Sequence, residues 1–468
     1  MRFEILSAIS ASRSRALDAA LLLVTIMPLV AAAQPSPPAY VILSYPLHSG
    51  LHDGSGEQST VVFRSVIQAS GTPWMQVYLA DYNLGEASFI TLTALANGDV
   101  QWHHAGTLAQ WHNASGIFRG DRVLLELHAA PGDHAVFVQL SQIIIADPVS
   151  VPPADKPEDI CGDNDDRVAS NDARVGRLFF GGCTGWLVSN GAALTAGHCG
   201  TPDGNITGVM EFNVPMSMAN GTPVPAAMND QYPINQVIAT ESNGEGNDFN
   251  VYDLAPNSNT GLKAHVAQDF FRLTLQVPAE DEIIRVTGFG IDNTPPGPGG
   301  GPGGDCNGEC NSSSLTQQTD TGPFVCLDGT DISHEVDTEP ANSGSPIMYA
   351  NGNWAFGIHT TGGCDDFFSG YDNGGTWLAY APLFNALVNY LGPSTVMVDW
   401  FPSLGPVYFG TIFHPYGTLP EAVSGVPNGG TIAIISGTYP GAANTLTAGT
   451  GGKAMTLKAL FGTATIGN

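Results

Sequence analysis

The stretch GAALTAGHCG, Gly191–Gly200, ends the apolar run that starts at Trp186 and places His198 between Gly197 and Cys199. A histidine there is either satisfied structurally at a strand end or held as a general base. The second reading needs company. A serine hydroxyl is a weak nucleophile until a base takes its proton. The base needs an orienting carboxylate, and the developing oxyanion needs backbone donors.

Two further stretches supply that company, in order. EGNDFNVYDL, Glu245–Leu254, places Asp248 at the start of an alternating apolar run, where a loop enters a strand. By itself Asp248 reads equally as an Asx turn at a strand start. EPANSGSPIMYANGNWAFGIHTTGGC, Glu339–Cys364, carries Asn342-Ser343-Gly344-Ser345-Pro346 as a tight turn, followed by two strand-like runs. Gly344 lets the backbone pass close to its neighbours.

With TAGHC around His198, NDFNV around Asp248 and NSGSP around Ser343, the segment resembles the chymotrypsin-like serine peptidases. The resemblance covers about 230 residues. It implies a double β-barrel, with Ser343 as nucleophile, His198 as base and Asp248 as its orienter. It also implies that the backbone N–H groups of Ala341 and Ser343 bind the oxyanion, and that Cys183 and Cys199 form the cystine flanking the histidine. Serine chemistry needs no cofactor, and no metal site is expected. One departure stands out: the family usually has glycine where this chain has Ala341, whose β-carbon strains the conformation that aims the N–H.

Within that family the chain is similar to the bacterial glutamyl endopeptidases, through Gly357-Ile358-His359 and Thr338. That likeness implies that His359, as an imidazolium, and Thr338 hold an acidic P1 side chain. Asp337 occupies the place where trypsin-like relatives bind Lys or Arg, so basic or broader P1 specificity is the alternative. In trypsin-like zymogens a new N-terminal amine pairs with an aspartate just before the serine. Here that residue is Asn342, which cannot form the ion pair. A catalytically inactive binding or adhesion protein on a protease scaffold is the rival of a different class, supported by Ala341, the acidic surface and the tail.

The rest of the chain sets the context. It has 468 residues, 57 Gly, 33 Pro and only 12% charged residues, a composition that suits an all-β protein with many turns. Its net charge of −28 disfavours nucleic acid and anionic membranes as partners. Residues 1–33 read as a signal peptide: Arg2, Arg13 and Arg15 precede the apolar Ala19–Ala33, too short to span a bilayer. A secreted protein, extracellular or periplasmic and off the membrane once the signal is removed, is expected, with proteins or peptides as substrates.

Seven cysteines, at 161, 183, 199, 306, 310, 326 and 364, all fall in the middle of the chain and are disulfide candidates. Cys326 with Cys364, and Cys161 with Cys306 or Cys310, are the expected pairings beyond the family cystine. Residues 34–155 read as an N-terminal β-sandwich-like domain or propeptide, with five alternating runs and a Pro-rich linker after them. His103, His104 and His112 lack metal-ligand spacing and read as packing or surface histidines. Residues 156–392 form the peptidase domain. Residues 393–468 form a short tail that resembles the opening rungs of a parallel β-helix, a shape that fits contact with a cell surface or polysaccharide.

Overall fold

The computed structural model describes residues 38–147, 160–162, 164–200, 208–292, 311–364, 372–401, 409–441, 444 and 453–466. The expected signal peptide, most of the Pro-rich linker, and Cys306 and Cys310 lie outside them.

Alternation drives the N-terminal part. In Arg122–Ala129, RVLLELHA, the residues Val123, Leu125, Leu127 and Ala129 are fully buried while their neighbours face outward. Two four-stranded antiparallel sheets result. One holds Tyr40–His48, Phe137–Ala146, Trp74–Asn83 and Ala114–Arg119, and the other Thr60–Gln68, Arg122–Ala129, Phe89–Ala94 and Val100–His103. Their apolar faces meet in one core of Val, Leu, Ile and Phe. Each such side chain contributes about 1.5–3 kcal/mol on burial.

Three of these strands are not among the five alternating runs: Tyr40–His48, Val100–His103 and Ala114–Arg119. The last, ASGIFR, is nearly all buried because its second face meets the next domain rather than water. Ile117 exchanges both backbone hydrogen bonds with the Gln231 side chain, at 2.7 and 2.9 Å. Trp74 packs edge-on against Phe179, 4.9 Å between ring centres.

The three histidines noted above do structural work here. His103 is buried against Trp111, and burial, with His104 beside it, pushes it down to about 3. His104 caps the helix Ala105–Gln110, accepting the N–H groups of Gly106 and Thr107. His112 Nε2 meets the Ile234 carbonyl at 2.8 Å.

Two closed six-stranded barrels follow. The first runs Val175–Leu178, Cys183–Leu187, Ala193–Thr195, Asp248–Leu254, Gln231–Ser242, Val209–Glu211 and back. The second is built from Trp354–Thr361, Pro346–Tyr349, Ile283–Gly288, Gln318–Asp328, Asp331–His334 and Asn373–Trp377, closed where Asn373–Trp377 pairs again with Trp354–Thr361. This is the chymotrypsin fold. Val168–Ala169 adds a short strand to the second barrel at Gln318–Thr319.

Beyond the helix Ala381–Asn389, Thr395–Val398, Thr431–Ile434 and Thr456–Ala459 form a parallel three-stranded sheet. Gly437–Tyr439 pairs in parallel with Ala464–Ile466. The helix Leu419–Gly425 packs Leu419, Ala422 and Val423 on this small core. Arg272 ties the tail to the barrels through a two-bond ion pair with Asp399, at 2.6 and 3.1 Å.

Candidate active site

His198 lies in a single 3-10 turn, Gly197–Cys199, directly after the first-barrel strand Ala193–Thr195. The disulfide Cys183–Cys199 pins that turn to the neighbouring strand. Gly197 is required by space. A β-carbon there would lie 1.8 Å from the Glu241 carbonyl oxygen and 2.7 Å from Asp248 Oδ1. The carboxylate can therefore come in against the turn. Asp248 Oδ1 accepts the His198 backbone N–H at 2.9 Å, and Oδ2 accepts from His198 Nδ1. Asp248 is 4% exposed, and the Thr376 hydroxyl clamps its backbone by accepting from the Asp248 N–H and donating to its carbonyl.

Ser343 comes from the second barrel, in the loop before Pro346–Tyr349. It is fully buried. Its carbonyl accepts from the Thr184 N–H at 2.9 Å, which ties the loop to the strand of Cys183. Gly344 has φ +91°, and a β-carbon there would lie 2.2 Å from both the Thr184 carbonyl and Thr195 Oγ1. The loop is thus pressed against the strand that leads into His198. Ser343 Oγ and His198 Nε2 find no hydrogen-bond partner among the described residues, each other included. Such contacts are commonly long before substrate binds.

The two peptide units that would meet an oxyanion are anchored at their carbonyl ends. Pro340 O accepts from the Ile291 N–H at 2.9 Å, and Asn342 O accepts from the Ser345 N–H at 2.9 Å. In a trans peptide the N–H points away from the carbonyl. The N–H groups of Ala341 and Ser343 are thereby turned the other way, and neither donates to an acceptor among the described residues. Ala341 sits at φ +79°, the conformation a glycine would take freely.

Residues 162–370 match the trypsin family model. This stretch is a trypsin-family domain. A solved structure described as Glu endopeptidase in complex with MPD is similar at 20% identity and TM-score 0.35, over 50% of this chain and 98% of its own. No curated protein matches the chain.

The left-handed backbone at Ala341 costs about 1–2 kcal/mol. Ala341→Gly removes that strain but adds unfolded-state entropy of about 0.4–1 kcal/mol. The variant should gain about 0.5–1 kcal/mol in urea unfolding and keep its activity. A loss of stability would mean that the trypsin-family domain does not strain this residue.

Two of the residues expected to line a substrate pocket differ from expectation in their surroundings. Asp337 does not offer its carboxylate to a basic side chain. Oδ1 accepts the Cys161 N–H at 2.7 Å and Oδ2 the Asp166 N–H at 3.2 Å, so it holds down the segment leading into the domain. Burial pushes this carboxyl up to about 7 against those two bonds, with Asp320 close by. His359, on the strand Trp354–Thr361, is fully buried and held well below the usual imidazole range by burial, then by His334 and His198. Burial thus favours a neutral imidazole over the expected imidazolium.

His334 is the residue that the sequence concealed. Its Nδ1 accepts the Val336 N–H at 3.2 Å, so its proton sits on Nε2, facing His359 Nδ1 at 3.4 Å. The His359 ring also meets the Gly374 backbone, which works against burial, and its remaining nitrogen is Nε2. That nitrogen and the Thr338 hydroxyl are both buried without a partner among the described residues.

The cystines also differ from expectation. Cys161 pairs with Cys364, across 203 residues, and Cys326 is an exposed free thiol. Asp337 explains the outcome: it draws the Cys161 backbone to the base of the strand that ends near Cys364.

Proposed function

We propose that the chain is an exported serine endopeptidase that cleaves after acidic residues. One observation carries this reading. Four buried polar atoms with no partner among the described residues, His198 Nε2, Ser343 Oγ, Thr338 Oγ1 and His359 Nε2, all belong to residues of one expected constellation. Other buried polar atoms, such as those of His103 and Asn250, also lack partners, but these four fall on one constellation, and a bound peptide would supply theirs.

Ser343 Oγ attacks the scissile carbonyl as His198 Nε2 takes its proton. Asp248 holds the tautomer and stabilises the imidazolium. The carbonyl oxygen, now an anion, takes the N–H groups of Ala341 and Ser343. His198 then returns the proton to the leaving amine, and water repeats the sequence on the acyl-enzyme. An ionised Glu or Asp side chain at P1 accepts from the Thr338 hydroxyl and from His359 Nε2–H. Each hydrogen bond to a charged group is worth about 1.5–3 kcal/mol. Asp337, engaged by Cys161 and Asp166, leaves a basic side chain without a counter-ion. The two cystines suit an oxidising, extracytoplasmic compartment. Among the described residues no helix is long and apolar enough to cross a membrane.

A fluorophosphonate should label Ser343 covalently, and Ser343→Ala should abolish the adduct. In a peptide series varied only at P1, Glu should exceed Leu and Arg by at least about 10-fold in kcat/KM, from one charged hydrogen bond of the size given. Because burial favours neutral His359, KM for the Glu peptide should stay flat from pH 7 to 9. A binding imidazolium would instead raise KM about 10-fold per unit above its pKa. No adduct in wild type ends the peptidase reading; faster cleavage after Arg ends the acidic one.

A further inference from the structure

We propose that Arg167 is a positioning residue for the oxyanion hole, so that the uncut chain is competent without a new N-terminal amine. The inference rests on the peptidase reading above and adds its mode of activation. Asn342 stands just before Ser343, so this loop cannot be organised by an amine paired to a carboxylate at that position. A buried cation lies there nonetheless. The Arg167 side chain is 2% exposed, with Nε and Nη2 on the Asp165 carboxylate at 2.9 and 2.7 Å. Burial works against its charge, and Asp165, Glu339 and Asp292 more than offset it.

The guanidinium reaches the oxyanion loop by a short path. Arg167 Nη1 donates to the Ile291 carbonyl at 3.1 Å. The Ile291 N–H donates to the Pro340 carbonyl at 2.9 Å. That carbonyl and the Ala341 N–H belong to one rigid peptide unit. Fixing Ile291 therefore fixes the direction of an oxyanion donor. A β-carbon on Gly290 would lie 2.7 Å from Arg167 Nη1 and 2.4 Å from Asn342 Nδ2, so the two side chains press on the same floor. The strained φ of Ala341 gives the peptide a reason to turn away, and the Arg167–Ile291 contact opposes it.

The segment that carries Arg167 is fastened from within the chain. Cys161 is bonded to Cys364, the N–H groups of Cys161 and Asp166 sit on Asp337, and Val168–Ala169 joins the second barrel as a strand. No free terminus takes part in any of these contacts.

The test uses the full chain and three variants: Arg167→Gln, Arg167→Lys, and Arg167→Gln with Ala341→Gly. Losing one oxyanion donor costs about 10²–10³ in kcat. Arg167→Gln should show a loss of that size in kcat and in fluorophosphonate labelling, with KM within about 3-fold, since the pocket residues are untouched. Arg167→Lys should fall between it and wild type. Ala341→Gly should return at least about 10-fold to the Arg167→Gln chain, because glycine holds the required φ without strain.

A folded Arg167→Gln with wild-type kcat overturns the proposal. So does a loss shared equally by kcat and KM that Ala341→Gly leaves unmoved. If Arg167→Gln does not fold, wild type decides, by mass analysis of the labelled protein. Label on chains intact through residues 160–167, at the rate shown by chains cut before them, supports the proposal. Label confined to chains with a free amine between Cys161 and Arg167 overturns it. Wild type that takes no label in any form sinks the peptidase reading instead, a distinct result.

Discussion

Asp248→Asn should lower kcat by about four orders of magnitude, the loss expected when the base of a Ser-His-Asp site is held in the wrong tautomer. The carboxylate accepts twice from one residue, from the His198 backbone N–H and from Nδ1. An asparagine can keep the first bond with its carbonyl oxygen. Its NH2 group then faces Nδ1, which must become an acceptor. The imidazole proton moves to Nε2, and the atom that should take the Ser343 proton no longer can. KM should change little, because Thr338, in the loop after Asp331–His334, and His359, on Trp354–Thr361, belong to the other barrel. The fold should persist, because the Thr376 hydroxyl still clamps the backbone at residue 248. Steady-state kinetics on the Glu peptide, with near-UV circular dichroism as a check on folding, make the measurement. A loss below about 100-fold would mean that this carboxylate does not set the tautomer.

His198, Asp248 and Ser343 were legible because each carries its own local signal. A histidine in a glycine-flanked turn, an aspartate at the mouth of an alternating strand and a serine in a Gly-Ser turn each say something alone, and their order says the rest. His334 had no such signal. It sits in Asp331–His334, four residues that read as an unremarkable strand. It meets His359 because both strands flank Asn373–Trp377, whose register places His334 opposite Asn373 and His359 opposite Gly375. Arg167 was hidden for a similar reason. Its acid partner is two residues away, but its target, the Ile291 carbonyl, is 124 residues on.

The barrels were readable from period-two runs, while the sandwich strand Ala114–Arg119 was not. Its Ser and Gly suggest a turn, and its burial comes from a neighbouring domain that the strand's own sequence cannot announce. Asp337 shows the opposite failure. Its position suggested a pocket floor, yet two backbone N–H groups from the incoming segment had claimed it.

That same segment sets the second large effect. Replacing Cys161 and Cys364 together by serine should cost about 5 kcal/mol, because the cystine closes a loop of 203 residues and the unfolded chain gains more freedom the longer the loop. Opening Cys183–Cys199, which spans 16 residues, should cost about 3 kcal/mol on the same model. Both cysteines of the long pair must be changed, since a lone Cys364 would add a thiol to that of exposed Cys326, open to joint oxidation by dissolved oxygen or to exchange with the Cys183–Cys199 disulfide. For a domain of this size the loss corresponds to about 10 °C or more in Tm. The function should respond too, and selectively. Asn373 donates to the Val336 carbonyl at 2.8 Å and to Cys161 Sγ at 3.4 Å, and accepts the Gly363 N–H at 2.7 Å. Opening the cystine loosens the wall that carries His334 and His359 while leaving the His198–Asp248 pair in its own barrel. KM for the Glu peptide should therefore rise more than kcat falls, with the preference for Glu over Leu shrinking alongside it. Unchanged Tm would show that the contacts of Asp337 and Arg167 hold the segment without the bond. A fall in kcat alone would place the cystine under the oxyanion loop rather than the pocket.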